Sequence, residues 1–160
     1  MHNSVYSWVE AQVKQRGLAE LDVLELGSLN VNGSVRDHFR GSYTGVDIVD
    51  GPGVDFVASS HMTGAFNPAN VDVVVCCEML EHDSDPNATF ATIADVLKPN
   101  GVALVTTRSE GFPIHHEPDL WRFTHDDIGA LAYTAGLEVD SIEDDPQPQH
   151  PGVFAVLRRP

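Results

Sequence analysis

Near the start of the chain, Gly27 and Asp47 have the types and spacing to hold a nucleoside. They fall at or just after the ends of two short apolar runs, Leu21–Leu26 (LDVLEL) and Ser42–Ile48 (SYTGVDI). In a parallel sheet, ligands lie beyond the carboxyl ends of the strands, so both would face one site. Gly27 lets the backbone turn sharply and approach a ligand with no Cβ in the way. Asp47, about 20 residues further on, is placed to accept two hydrogen bonds from a ribose 2′,3′-diol. Between them Asn30 and Asn32 tolerate left-handed backbone, and Gly33-Ser34 can open a short helix through Phe39. The pattern is not G-x-G-x-x-G: Gly27 and Gly33 stand alone, without the glycine geometry that admits a pyrophosphate. A nucleoside without phosphates fits better than a dinucleotide. A nicotinamide-dependent oxidoreductase is disfavoured on the same ground, and no Tyr-x-x-x-Lys proton donor is present.

Proton chemistry near pH 7 points to histidine. His115 and His116 lie in EGFPIHHEPDLWRF (Glu110–Phe123), a stretch with two prolines, a glycine, three aromatics and no helical period. It reads as a lid, over residues 108–124, and either histidine could act as a base or orient an acceptor; the alternative is packing within an ordered loop. Adjacent histidines with Glu117 and Asp119 supply no defined third and fourth ligand, so no metal is expected. Glu81 and His82 follow another apolar run and are read as organising a loop. Trp121, Arg122 and Phe123 should fix the lid against the sheet, Arg122 by pairing with an acid.

These residues must be positioned by alternating strands and helices. Besides the two runs above, strand patterns occur at Val54–Ala58, Val71–Cys77, Gly101–Thr107, Gly136–Ile142 and Gly152–Arg158. The near-continuous apolar run VDVVVCC suits a parallel strand covered on both faces. Helices are expected at Val5–Gln15, closed by Gly17, and from Pro86 to Leu97, capped by Asp85. A third, His125–Ala135, has the capping box Thr124…Asp127 and ends at Gly136. The alternation argues for right-handed βαβ units in a Rossmann-like α/β three-layer sandwich with a seven-stranded, mostly parallel sheet. Only the loop Glu143–Pro151 separates the last two strands, too short for a crossover helix, so they should pair antiparallel and leave one antiparallel edge strand.

The chain has 160 residues, 42% hydrophobic and 21% charged, as expected of one globular domain spanning 1–160, with residues 1–20 as an N-terminal helix. Nine basic against 24 acidic residues give a net charge of −15, which repels phosphate backbones and argues against nucleic acid as a partner. No apolar stretch reaches the roughly 18 residues that span a bilayer, and Met1–Glu10 lacks a signal-peptide pattern. Cys76 and Cys77, the two cysteines, are neighbours on a strand and should face opposite ways as free thiols. Together these features give the expectation of a cytoplasmic protein with no membrane association.

With VLELGSLNVNGS, YTGVDIVDGPGVDFV, VDVVVCCEMLEH, LKPNGVALVTT and PDLWRFTHDDIGAL in this order, the sequence resembles the class I S-adenosylmethionine-dependent methyltransferases, and among them the small type 11 domains. The resemblance covers about Val23 to Arg158. It implies S-adenosylmethionine as cofactor, with Glu25, Gly27 and Ser28 near its amino-acid end, Asp47 on the ribose and Ile48 against the adenine. Cys77, Glu78 and Met79 would line the methionine and sulfonium region. Where the family often carries an acid for the adenine amino group, this chain has Ser59 or Ser60, and Leu29 stands near the usual second glycine. The implied activity is methyl transfer to an unidentified acceptor, a small molecule or an exposed group of a larger one. The other reading, on those two departures, is a non-catalytic S-adenosylmethionine-binding or scaffold protein. No Asp/Asn-Pro-Pro-Tyr segment follows Val71–Cys77 and neither cysteine adjoins a proline, which sets aside amino-group methylation of adenine or glutamine and cytosine C5 chemistry.

Overall fold

The computed structural model describes residues 1–62, 69–114 and 116–160. Its strands are β1 (Val23–Leu26), β2 (Tyr43–Asp47), β3 (Phe56–Val57), β4 (Val71–Cys77), β5 (Leu97–Arg108), β6 (Glu138–Asp144) and β7 (Gly152–Arg158). Helices α1 (Asn3–Arg16), α2 (Pro86–Val96) and α3 (His125–Ala135) accompany them. The seven strands form one sheet in the order β3-β2-β1-β4-β5-β7-β6. All neighbours are parallel except β7, which runs antiparallel to both β5 and β6.

Strand alternation builds two cores. Along β4, Val73, Val75 and Cys77 face α1, while Val74 and Cys76 face α2 and α3. The cysteines are thus on opposite faces, unbonded and buried, as their adjacency requires. On the α1 side Val5, Trp8, Val9 and Val13 pack on Leu104, Phe154 and Val156. Each such fully buried side chain contributes roughly 1.5–3 kcal/mol. Trp8 meets Phe154 at 5.3 Å between ring centroids and donates from Nε1 to Glu143.

The helix ends follow the expected chemistry. Gly17 and Gly136 close α1 and α3 in left-handed conformation. The Asp85 carboxylate accepts from the Ala88 N–H with Pro86 in the first turn of α2, and Thr124 with Asp127 forms the complete capping box of α3. Ser34 opens only a 3-10 turn, Arg36–His38, rather than a helix through Phe39. The expected strand Val54–Ala58 shrinks to two exposed residues, because Gly53 and Asp55 serve the preceding loop: Asp55 N–H donates to Gly45 and its carboxylate takes the Gly45 N–H.

The antiparallel strand is not the edge strand. β7 lies between β5 and β6, and β6 forms the edge. Burial decides the order. GVFAVL on β7 is buried at every position, whereas β6 is exposed or half-buried throughout and carries Glu138, Asp140, Glu143 and Asp144. An apolar strand gains most from neighbours on both sides, and a strand lined with acids suits an edge that must resist further pairing.

Candidate active site

At the carboxyl ends of the strands lies a cavity of about 950 Å³. The chain winds outward from β1 in one direction through β2 to β3, and in the other through β4 to β5. The cavity opens at this reversal, where parallel sheets bind ligands.

The turn after β1 is built by local backbone chemistry. Gly27 adopts φ +80°, and a Cβ there would fall 2.5 Å from Met79 Cγ, so the glycine serves both the turn and the approach of β4. Gly27 and Ser28 donate their N–H groups to Val46 O, fastening the turn to β2. The Ser28 hydroxyl is buried without a hydrogen-bond partner among the described residues and packs over Gly45, leaving the Ser28 backbone toward the cavity. Asn30 and Asn32 do not enter the left-handed region; Asn30 Oδ1 instead accepts from Gly33 N–H at 2.8 Å, a side-chain turn.

Asp47 ends β2 with its carboxylate fixed by two backbone donors, Leu29 N–H to Oδ2 at 3.0 Å and Val49 N–H to Oδ1 at 3.1 Å. Each oxygen keeps lone-pair capacity for another donor. The Leu29 side chain reaches Gly51, where a Cβ would meet it at 2.5 Å. Thus Leu29, in place of a glycine, still supplies the N–H that orients Asp47. Ile48 at the cavity rim is 71% exposed, an apolar surface ready for a flat ring.

Ser59 and Ser60 line the same end, and with them stands a pair that the strand pattern did not reveal. His61 Nε2 hydrogen-bonds the buried Asp83 carboxylate, which also accepts from Thr89 Oγ1 at 2.6 Å; Thr89 Oγ1 in turn accepts from the Ser60 hydroxyl at 2.8 Å. His61 and Asp83 both line the cavity.

At the opposite end Cys77, Glu78 and Met79 continue from β4. Burial pushes the Cys77 thiol up, so it is a neutral wall and not a thiolate. Glu78 is held at φ +52°, unusual for a side chain of its size. Burial would raise its pKa, yet Arg108 and His2 outweigh burial and hold the carboxyl below its ordinary value. Arg108, 1% exposed, bonds Glu78, takes Asp145 Oδ2 at 3.0 Å and lies 4.6 Å from the Phe112 ring centroid.

The segment Pro118–Phe123 is fastened to the turn after β4 and within itself. Glu81 accepts Thr107 Oγ1 through its side chain and the Leu120 N–H through its carbonyl; His82 Nδ1 lies 2.6 Å from Pro118 O. Arg122 pairs with Asp119, and Trp121 Nε1 donates to Asp83 O at 2.7 Å. His116 lines the cavity and is exposed, whereas His115 lies outside the described residues. Among the described residues no group of three or more His, Cys, Asp or Glu could hold a metal. Among the described residues no helix is long and apolar enough to cross a membrane.

The lining is acidic. Glu25, Asp47, Glu78 and Asp83 border the cavity, and among the described residues no lysine or arginine side chain does. Such a wall favours a ligand carrying positive charge and disfavours phosphates. Burial raises Glu25 to about 7, against the opposing pull of Tyr43 and Arg36. These groups fit S-adenosylmethionine: a diol for Asp47, a ring for Ile48, and an ammonium and a sulfonium for Glu25 and the acidic end.

The comparisons agree. The methyltransferase domain model matches residues 14–141. A ubiquinone biosynthesis O-methyltransferase of Azoarcus sp. is 38% identical over 60 residues, covering 37% of this chain and 26% of that protein. The one from Pseudomonas aeruginosa is 27% identical over 175 residues, covering 85% of this chain and 71% of that protein. The match spans only about a quarter to two-fifths of the length of the first such relatives. In fold, the chain superposes with TM-score 0.79 on a 1,6-didemethyltoxoflavin-N1-methyltransferase of Burkholderia thailandensis bound to S-adenosylhomocysteine, at 17% identity, covering 97% of this chain and 78% of that one. The matched span, the sheet order with β7 inserted and the cavity at the strand ends lead to one conclusion: the chain belongs to the methyltransferase domain family, the S-adenosylmethionine-dependent class I methyltransferases.

Proposed function

We propose that the chain transfers the methyl group of S-adenosylmethionine to a hydroxyl oxygen of a small acceptor. The observation that carries this reading is the acid-lined cavity, bordered among the described residues by no lysine or arginine and large enough, at about 950 Å³, for a cationic nucleoside at the Asp47 end and an acceptor at the Glu78 end. Asp47 holds the ribose diol, Ile48 with Ser59, Ser60 and His61 bounds the adenine, and Glu25, Gly27 and Ser28 border the amino-acid end. Cys77, Glu78 and Met79 flank the sulfonium, and residues 108–124, with His116, cover the acceptor. The hydroxyl class is supported by the O-methyltransferase names of the curated relatives. Methyl transfer from a sulfonium is an in-line displacement, so these residues act mainly by aligning acceptor and methyl and by keeping water away.

Titration calorimetry with S-adenosylhomocysteine, followed by methyl-transfer assays on hydroxylated aromatics, tests the reading. Tight binding with turnover is expected. Absence of binding removes the cofactor assignment. Binding without turnover on any acceptor would favour a non-catalytic S-adenosylmethionine-binding protein.

A further inference from the structure

The Glu78 end of the cavity is closed by a residue remote in sequence. His2, which precedes α1, holds its imidazole between β4, β5 and the β6–β7 loop. Its Nδ1 lies 2.6 Å from Glu78 Oε1 and 2.8 Å from Arg108 Nη2. Its backbone N–H donates to Glu78 Oε2 at 3.0 Å, so one carboxylate grips both ring and main chain. Phe112 meets the ring edge-on at 5.4 Å, and His150 packs at 4.6 Å.

The Nδ1 has two polar neighbours: the Glu78 carboxylate, which only accepts, at 2.6 Å and Arg108 Nη2, which only donates, at 2.8 Å. A hydrogen on Nδ1 satisfies the closer of the two contacts, and Arg108 Nη2 keeps its bond to Glu78 either way. In that tautomer Nε2 carries the lone pair; it makes no hydrogen bond among the described residues, and His2 lines the cavity. An imidazole oriented by a carboxylate, with its second nitrogen unbonded at a cavity wall, is the arrangement of a general base.

The support behind the pair is costly to build. A left-handed non-glycine residue such as Glu78 costs on the order of 1–3 kcal/mol, and such strain clusters at functional sites. Arg108 and Asp145 form a buried ion pair, with Ser4 Oγ donating to Asp145 at 2.9 Å. The charged and titratable groups around His2 are Glu78, Arg108, His150 and the Met1 amine, with Asp145 beyond Arg108. Burial lowers the His2 pKa, with Arg108 and His150 adding to it against Glu78. The ring is neutral near pH 7, as a base must be.

We propose that His2 is the general base for the hydroxyl acceptor, with Glu78 and Arg108 as its positioning residues. This rests on the hydroxyl-transfer reading above. The acceptor proton moves to His2 Nε2 while an oxygen lone pair forms the C–O bond to the methyl carbon. The C–S bond breaks with its electron pair returning to sulfur. One positive charge enters on sulfur and one remains on the imidazolium, now beside Glu78.

The test uses catechol and 4-nitrocatechol as probe acceptors with the native chain, His2→Asn and His125→Asn. Near pH 7 the nitro compound is already largely ionised and needs little base. His2→Asn should lower kcat on catechol by about 100-fold or more, and on 4-nitrocatechol by under about fivefold. Its affinity for S-adenosylhomocysteine should be unchanged, and His125→Asn, which alters an exposed histidine paired with Asp144, should keep most of the catechol rate. Equal losses on both probes would mean a structural role and overturn the proposal, as would an undiminished rate. Turnover of neither probe by native chain that binds S-adenosylhomocysteine also overturns it. Failure to bind S-adenosylhomocysteine sinks the cofactor reading instead. If His2→Asn does not fold, the native pH–rate profile decides. An acid limb of single-proton slope on catechol that is absent on 4-nitrocatechol supports the base; matching profiles overturn it.

Discussion

The two ends of the cavity hold carboxylates of the same chemistry by different means. Asp47 is fixed by the backbone of its own neighbourhood, with N–H donors from Leu29 and Val49. Glu78 is fixed by side chains gathered from across the chain: His2, 76 residues away, and Arg108, itself bonded to Asp145 and the His150 carbonyl. The first end is local and inexpensive to fold. The second is a buried ion cluster whose members depend on one another, so damage there should reach the whole fold, while damage at Asp47 should stay at the ligand.

The strongest attack on this contrast is Arg108→Met. It leaves Glu78 and Asp145 as buried acids without their cation, and unfolding in urea should show a loss of about 3–5 kcal/mol. Adding Glu78→Gln and Asp145→Asn should recover part of that loss. A mild effect of Arg108→Met alone would mean the cluster is solvated and the contrast is wrong.

Glu25, between the two ends, predicts an opposite sign. Its folded pKa of about 7 lies above the unfolded value of 4.5, so its contribution to stability is full below 4.5 and is lost as pH rises through 7. Above pH 7 the free protein carries a buried carboxylate. Glu25→Gln should therefore stabilise it at pH 8 by about 3 kcal/mol, with little change at pH 4.5. The same variant should bind S-adenosylhomocysteine more weakly, since the ammonium loses its counter-charge. Denaturation at the two pH values checks the first effect and calorimetry the second.

Asp47→Ala should weaken S-adenosylhomocysteine binding at least tenfold, from about 1.5 kcal/mol for a charged hydrogen bond, with the melting temperature nearly unchanged. Unchanged affinity in the folded variant would remove the ribose assignment. Smallest is His61→Ala, where loss of one neutral contact of about 1 kcal/mol should weaken binding roughly fivefold. An equal loss for the 6-oxo analogue S-inosylhomocysteine would show that His61 does not read the adenine amino group.

The same contrast explains what the sequence made legible. Helix caps, the strand runs VDVVVCC and GVFAVLR, and the glycine turn with Asp47 all rest on contacts within a few residues or on a fixed sheet geometry. Each was readable because its partners are near in sequence or set by periodicity. The place of β7 was not, since loop length fixes that two strands are antiparallel but not which one lies inside; the evenly apolar GVFAVLR beside the acid-rich EVDSIED held that information. Arg108 ends an apolar run as a lone cation, a visible anomaly, but its partners lie 30 to 42 positions away and follow no period. His2 and His61 carried no pattern at all. Expecting the base in the lid weighed two adjacent histidines over a single one whose carboxylate only the folded chain supplies.

The inserted strand has a consequence for how the protein comes into being. Synthesis delivers β6 before β7, yet β7 must pass between β5 and β6 to complete the sheet. Until β7 is free to pair, the open edge of β5 offers unpaired backbone to any other strand, an invitation to aggregate. Arg108 meanwhile waits for Asp145 and His150, which reach it only when that hairpin docks. The end of the cavity proposed to do the chemistry is therefore finished last. A nascent or clipped chain lacking β7 could grip a nucleoside near Asp47 but would have no assembled base.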